Sequence, residues 1–132
     1  MEKKKVFISY DYSNDRHYKN MLLAWDENKE FDFSIYDQSV DVSVNSTDAA
    51  VIRRVISARI NDSAYFLCLI GNKTHLSNWV DWEIRKAVEL KKKIVAVKIN
   101  SDNTTPTAIT GIGASWAMTF TFQAIKTAIE RA

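Results

Sequence analysis

The sequence is poor in the residues that mark disulfide scaffolds, disordered chains and metal sites. Its 132 residues include one cysteine, one proline and three glycines. The single cysteine, Cys68, cannot form an internal disulfide, and the two histidines do not join it in a zinc-like spacing. We therefore expect a reducing compartment and no bound metal.

Long hydrophobic runs are also missing. The longest run, 64–70, has seven residues, whereas a membrane-spanning helix needs about 20. The amino terminus lacks the apolar core of a signal peptide, so we expect a cytoplasmic protein without a membrane partner. The 18 basic and 16 acidic side chains nearly cancel, and the lysine runs 3–5 and 91–93 are short. This charge pattern does not indicate a nucleic-acid-binding surface.

Apolar segments that alternate between strand and helix patterns fill most of the chain. Hydrophobic residues make up 46% of it, and we interpret residues 1–132 as one domain. Segments rich in β-branched and aromatic residues predict five strands, at 5–10, 31–36, 64–70, 94–99 and 115–120. Helical spacing of apolar residues predicts four helices, at 15–28, 49–60, 79–91 and 122–131.

This alternation predicts an α/β fold with a five-stranded parallel sheet covered by helices on both faces. The third and fourth strands are the most apolar and belong in the middle, which gives the strand order 2-1-3-4-5. Ligands of such sheets bind outside the carboxyl ends of the strands where the winding reverses, here between the first and third strands. The residues expected at that position are Ser9, Tyr10, Asp11, Gly71 and Asn72.

The helix predicted after the third strand has an unusual third face. We expect one stripe to face the sheet and a second to face water; their members are Val80, Ile84, Ala87 and Val88, then Asp81, Arg85 and Glu89. Asn78 is the predicted N-cap. Trp79, Trp82 and Glu83 fall on the remaining face, where two indoles would border a carboxylate as a pocket wall. The alternative is that the tryptophans are ordinary core residues and the glutamate is solvated.

Two motifs resemble a known family. The strand Val6-Phe7-Ile8-Ser9-Tyr10 looks like the first box of TIR domains, and Ser77-x-Trp79-x-x-x-Glu83 is similar to the pattern of TIR domains that cleave NAD. With Tyr18, Gly71-x-x-Thr74 and the run 79–84, the chain resembles the TIR-like proteins of bacterial Thoeris anti-phage systems over about residues 5–105. The loop 37–47 lacks the proline and glycine signature that many TIR domains have.

The resemblance implies a flavodoxin-like TIR fold and an enzyme that consumes NAD as substrate, without a further cofactor. It assigns Glu83 as the catalytic residue, ionised near its reference pKa of about 4.3 unless burial raises that value. Ser9, Tyr10, Asp11, Asn72, Trp79 and Trp82 are the predicted substrate-binding residues. Family members suggest a homo-oligomer whose product, ADP-ribose or a cyclic isomer, is read by a separate effector protein.

Two other readings remain open. The first is a non-catalytic TIR-type module that acts by self-association or partner binding. The second is a metal-binding pair of Asp11 and Asp15, as in receiver domains of the same topology. That reading also needs an aspartate after the third strand, where this chain has Ile70-Gly71-Asn72.

Overall fold

The computed structural model describes residues 3–36 and 42–132, and its five strands are all parallel. The strands are β1 (Lys4–Ser9), β2 (Phe31–Ile35), β3 (Tyr65–Ile70), β4 (Lys93–Lys98) and β5 (Ser115–Ala117). The helices are α1 (Tyr12–Trp25), α2 (Ala50–Asp62), α3 (Asn78–Glu89) and α4 (Phe122–Arg131). The sheet order is β2-β1-β3-β4-β5, which confirms the predicted fold and topology.

Two hydrophobic layers cover the sheet because alternate strand residues point to opposite faces. On one face, Phe7 and Phe66 stack with ring centroids 5.8 Å apart beneath α2 and α3. On the other face, Ile8 and Leu67 pack against α1 and α4. The central strand β3 is buried on both sides, as its continuous apolar run predicted.

Helix α1 begins earlier than the sequence pattern suggested. The helix was predicted to start at residue 15, but Asp11 is the N-cap and its carboxylate accepts a hydrogen bond from the backbone N–H of Ser13. A short polar side chain in this position replaces a missing intrahelical bond, so the helix can start at Tyr12. The cap places the first turn of α1 directly at the carboxyl end of β1.

Helix α3 differs from the prediction in its N-cap and in one residue of its apolar stripe. Its N-cap is Ser77 rather than Asn78, because the Ser77 hydroxyl accepts from the Val80 N–H at 3.2 Å. Val88 was expected to face the sheet but is 42% exposed, while Val80 and Ala87 are fully buried. At about 100° per residue, Val88 points about 80° away from Val80, which takes it off the buried stripe.

In the described part of the chain, no helix combines the length and apolar character needed to cross a bilayer. The first five residues of the 37–47 loop lie outside the described residues. Val42 to Asn45 and a single 3-10 turn, Thr47–Ala49, lead from there into α2.

Candidate active site

A cleft of about 480 Å³ opens at the carboxyl ends of β1 and β3, where the sheet order reverses. Three segments form it. We call Asp11–Asn14 the α1 wall, Val42–Val44 the loop wall, and Lys73 with Leu76–Trp79 the connection wall. The position agrees with the site expected for this sheet topology.

Glu83 lies beneath the connection wall, one helical turn after Trp79 and on the same face of α3. Its side chain is directed at β1, where the Ser9 hydroxyl donates a hydrogen bond to Glu83 Oε1 at 2.7 Å. Glu83 is only 3% exposed and Ser9 is buried. The carboxyl group therefore sits between a cleft-lining indole and a strand that ends two residues before the cleft-lining Asp11.

The burial of Glu83 changes its protonation. Removal from water raises its pKa to about 8, against the opposing effect of the Ser9 hydrogen bond, which favours the ionised form. The expectation of a glutamate ionised at neutral pH therefore needs correction, because desolvation outweighs the hydrogen bond. Burial therefore favours the protonated form of this carboxyl group to a much higher pH than for a glutamate in water.

The two tryptophans of α3 have different surroundings. Trp79 is 7% exposed, lines the cleft, and donates its indole N–H to the backbone carbonyl of Val42 at 2.8 Å. Its ring meets that of Trp82 edge-to-face, with centroids 6.0 Å apart. Trp82 is half-buried at the edge of the core, with the Lys86 ammonium 5.6 Å from its ring, and is not among the cleft-lining residues.

The other predicted substrate-binding residues are also distributed unevenly. Asp11 lines the cleft, and its second carboxylate oxygen accepts from Asn14 Nδ2 at 2.6 Å. Tyr10 is buried, with the Lys19 ammonium 5.4 Å from its ring, and Asn72 is exposed outside the cleft lining. The structure therefore places Asp11 and Trp79 in the cleft lining and joins Ser9 to Glu83 just behind it. The predicted site residues that are not among the lining residues are Ser9, Tyr10, Asn72, Trp82 and Glu83.

Comparison with known proteins identifies the family. Residues 7–104 match the family described as "Thoeris protein ThsB, TIR-like domain". The chain belongs to this family. The resemblance of its motifs to Thoeris TIR-like proteins is thus confirmed, and the matched range contains the cleft and its three walls.

A curated relative of this ThsB family member is named for an activity. The Bacillus cereus (strain MSX-D12) protein named "Putative cyclic ADP-D-ribose synthase ThsB1" is 26% identical over 101 residues, which are 74% of this chain and 53% of the relative. The chain thus spans about half the length of this relative.

Solved structures share the fold at low identity. The TIR domains of the activated Roq1 resistosome superpose with a TM-score of 0.53 and 15% identity, over 75% of this chain and 60% of theirs. A 2-desoxiribosyltransferase from Leishmania mexicana superposes with a TM-score of 0.63 and 12% identity, over 97% of both chains. These similarities show that this ThsB family member shares its α/β fold with both proteins.

Sequence reasoning missed part of the site of this TIR-like domain. Arg53 of α2 donates to the carbonyls of Val44 and Ser46, at 2.5 and 3.1 Å. Through these bonds Arg53 connects α2 to the end of the loop wall. Because its acceptors are backbone carbonyls, no pairing pattern in the sequence could have indicated this role.

Asp15 was considered only as half of a metal pair with Asp11. Its carboxylate instead accepts from the Thr74 hydroxyl at 3.1 Å, while Asp11 caps α1. Among residues 3–36 and 42–132, no group of three or more His, Cys, Asp or Glu side chains is arranged to hold a metal ion.

Proposed function

We propose that this ThsB-type TIR-like domain cleaves the nicotinamide-ribosyl bond of NAD and releases a cyclic ADP-ribose-type signal for anti-phage defence. The observation that carries the proposal is the Glu83 carboxyl group, buried beside the cleft and hydrogen-bonded to Ser9 at 2.7 Å. The family match and the printed name of the Bacillus cereus relative support the same chemistry. The proposal includes a homo-oligomer and a separate effector protein that reads the product.

The reaction requires one bond to break and little acid catalysis. The bond between C1′ of the ribose and the pyridinium nitrogen breaks, and its electron pair leaves with nicotinamide, which departs neutral. The ribosyl group then carries an oxocarbenium-like positive charge. An ionised Glu83 stabilises this charge electrostatically, and the low dielectric of its buried position strengthens the effect.

Two nucleophiles can complete the reaction. Water attacks C1′ and loses a proton, which gives ADP-ribose. Alternatively, a nucleophilic atom of the same ADP-ribosyl group attacks C1′ and closes a cyclic product. We propose the second outcome because the relative is named for it.

The protonation of Glu83 makes the proposed activity dependent on pH. We expect kcat/KM for NAD to rise about tenfold per pH unit below the pKa of Glu83 and to level off above about pH 8, because only the ionised form stabilises the cation. The positive charge of the bound pyridinium should lower the pKa of Glu83. The rise of kcat with pH should therefore occur at lower pH than the rise of kcat/KM. Initial rates between pH 6 and 9.5 measure both limbs, and a flat kcat/KM profile contradicts this role of Glu83.

Purified protein incubated with NAD tests the function itself. The expected result is release of nicotinamide, together with a cyclic product that chromatography and mass spectrometry separate from ADP-ribose. The assay should cover a wide range of protein concentrations, since a rate that rises faster than linearly indicates a site formed by more than one copy. Intact NAD at every concentration would favour the non-catalytic interaction module instead.

Trp79→Phe tests the indole hydrogen bond that joins the connection wall to the loop wall. Phenylalanine keeps an aromatic ring but leaves the Val42 carbonyl without its donor. We expect KM for NAD to rise about three- to tenfold, and the free energy of unfolding to fall by about 1 kcal/mol. Steady-state kinetics and urea unfolding measure the two effects.

Trp82→Phe is the matched control for this prediction, because Trp82 belongs to the same helix but lies outside the cleft lining. It should leave KM within about twofold of the wild type. Equal increases in KM for the two variants would contradict the role given to Trp79 and would support the prediction that Trp82 contacts the substrate.

A further inference from the structure

A second buried carboxyl group lies under the cleft, and the proposed reaction does not use it. Asp15 of α1 is 4% exposed, although aspartate is seldom buried without a partner. The Thr74 hydroxyl, itself buried, donates to Asp15 Oδ2 at 3.1 Å. The same hydroxyl oxygen accepts from the Gly71 backbone N–H at 2.8 Å. These three groups form one continuous hydrogen-bonded chain between α1 and the end of β3.

The packing around this chain leaves no spare room. A Cβ atom added to Gly71 would lie 2.3 Å from Asp15 Oδ2, well inside contact distance. A side chain at position 71 would therefore force the Asp15 carboxylate to move. Burial raises the pKa of Asp15, and the hydrogen bond from Thr74 is the main opposing effect. The hydroxyl thus compensates part of the cost of keeping this carboxyl group out of water.

The hydrogen-bonded pair stands between two walls of the cleft. Asp15 directly follows the α1 wall, Asp11–Asn14, and its backbone N–H donates to the Asp11 carbonyl at 2.8 Å. Thr74 directly follows Lys73 of the connection wall, and its carbonyl accepts from the N–H of Ser77, the N-cap of α3, at 3.0 Å. A change at either partner therefore reaches both walls within a few residues.

We propose that Asp15 and Thr74 are positioning residues, which hold the α1 wall and the connection wall at the spacing that binding of the dinucleotide requires. This inference rests on the proposed function. Neither residue lines the cleft, so they act through the walls and not by contact with the substrate. Loss of their bond should weaken substrate binding more than the chemical step, because the Ser9 to Glu83 hydrogen bond is separate from it.

Thr74→Val is the decisive variant, since it keeps the shape of the side chain and removes the hydroxyl. We expect KM for NAD to rise about tenfold while kcat stays within about threefold. Amide hydrogen exchange, measured by mass spectrometry without substrate, should become faster in residues 11–15 and 73–79. Thr74→Ser retains the hydroxyl and should restore KM and exchange to near wild-type values.

Thr121→Val provides the matched control. It removes a threonine hydroxyl that caps α4 by accepting from the Ala124 N–H at 3.2 Å, away from the cleft. It should lower the melting temperature by a few degrees without changing KM or exchange in the two walls. Asp15→Asn, which retains an acceptor oxygen, serves if Thr74→Val does not fold, with an expected rise in KM of about threefold.

The outcomes separate this inference from the proposed function. A Thr74→Val protein with KM within twofold of the wild type overturns the inference even though NAD is cleaved. Wild-type protein that leaves NAD intact overturns the proposed function. In that case hydrogen exchange still tests whether the Asp15–Thr74 bond holds the two walls together. This role is rejected if Thr74→Val exchanges like the wild type in residues 11–15 and 73–79.

Discussion

Glu83→Gln is expected to lower the rate of NAD cleavage at pH 8 by at least about 100-fold. Glutamine matches the size of glutamate and can still accept the hydrogen bond from Ser9, so the local packing is preserved. What the variant loses is the negative charge opposite the developing ribosyl cation. For comparison, removal of a single oxyanion-hole donor costs about 10²–10³ in kcat. Nicotinamide release under saturating NAD measures the effect.

Glu89→Gln makes the same chemical change on the same helix. Glu89 is exposed and pairs with Lys86 at 2.6 Å, away from the cleft lining. Its rate should stay within about twofold of the wild type. The assignment of Glu83 as the catalytic residue would be contradicted if the Glu83→Gln protein shows a cooperative melting transition and retains more than a third of the wild-type rate.

The fold could be predicted because its determinants are local in sequence. The apolar run of β3 and the alternation of strand and helix patterns indicate a parallel sheet, and the strand order follows from which strands are most apolar. The helical spacing of Trp79 and Glu83 likewise puts both on one face of α3. Periodic patterns of this kind can be recognised in a single sequence, and so can the motifs of the TIR-like family.

The interior of the site could not be predicted in the same way. Ser9 and Glu83 are 74 positions apart, and Asp15 and Thr74 are 59 positions apart. Each pair is formed by the way the strand ends converge, and a serine or threonine hydroxyl can bond to many partners. Trp79 was predicted to bind the substrate, and the structure adds that its indole N–H donates to a backbone carbonyl, a contact that leaves no trace in the sequence.

Burial of Glu83 also makes the stability of the protein depend on pH in an unusual direction. In the unfolded chain this carboxyl group loses its proton near its ordinary pKa of 4.5, whereas in the folded protein it retains the proton up to about pH 8. Between these values the unfolded state binds fewer protons, so the free energy of unfolding falls as pH rises. The contribution of Glu83 to the free energy of unfolding is therefore largest below about pH 4.5 and is lost as pH passes through about 8.

Glu83→Gln should remove this dependence. At 1.36 kcal/mol for each unit of pKa shift, the wild-type protein should lose on the order of 4 kcal/mol of unfolding free energy between about pH 5 and pH 8.5. The variant carries no titrating group at position 83 and should be more stable than the wild type above pH 8 by a similar amount. Urea unfolding at several pH values, followed by tryptophan fluorescence, measures both proteins, with Glu89→Gln as the control that should follow the wild type.

The two expected effects of Glu83→Gln have opposite signs, and this makes them informative together. A substitution that damages the fold lowers activity and stability in parallel. Replacement of a desolvated catalytic carboxylate should instead lower activity and raise stability at high pH. The desolvation that strengthens the charge in catalysis also destabilises the folded state when the group is ionised. If the variant loses activity but its stability follows the wild type at every pH, the pKa of Glu83 is not raised by burial and the desolvated-carboxylate mechanism is wrong.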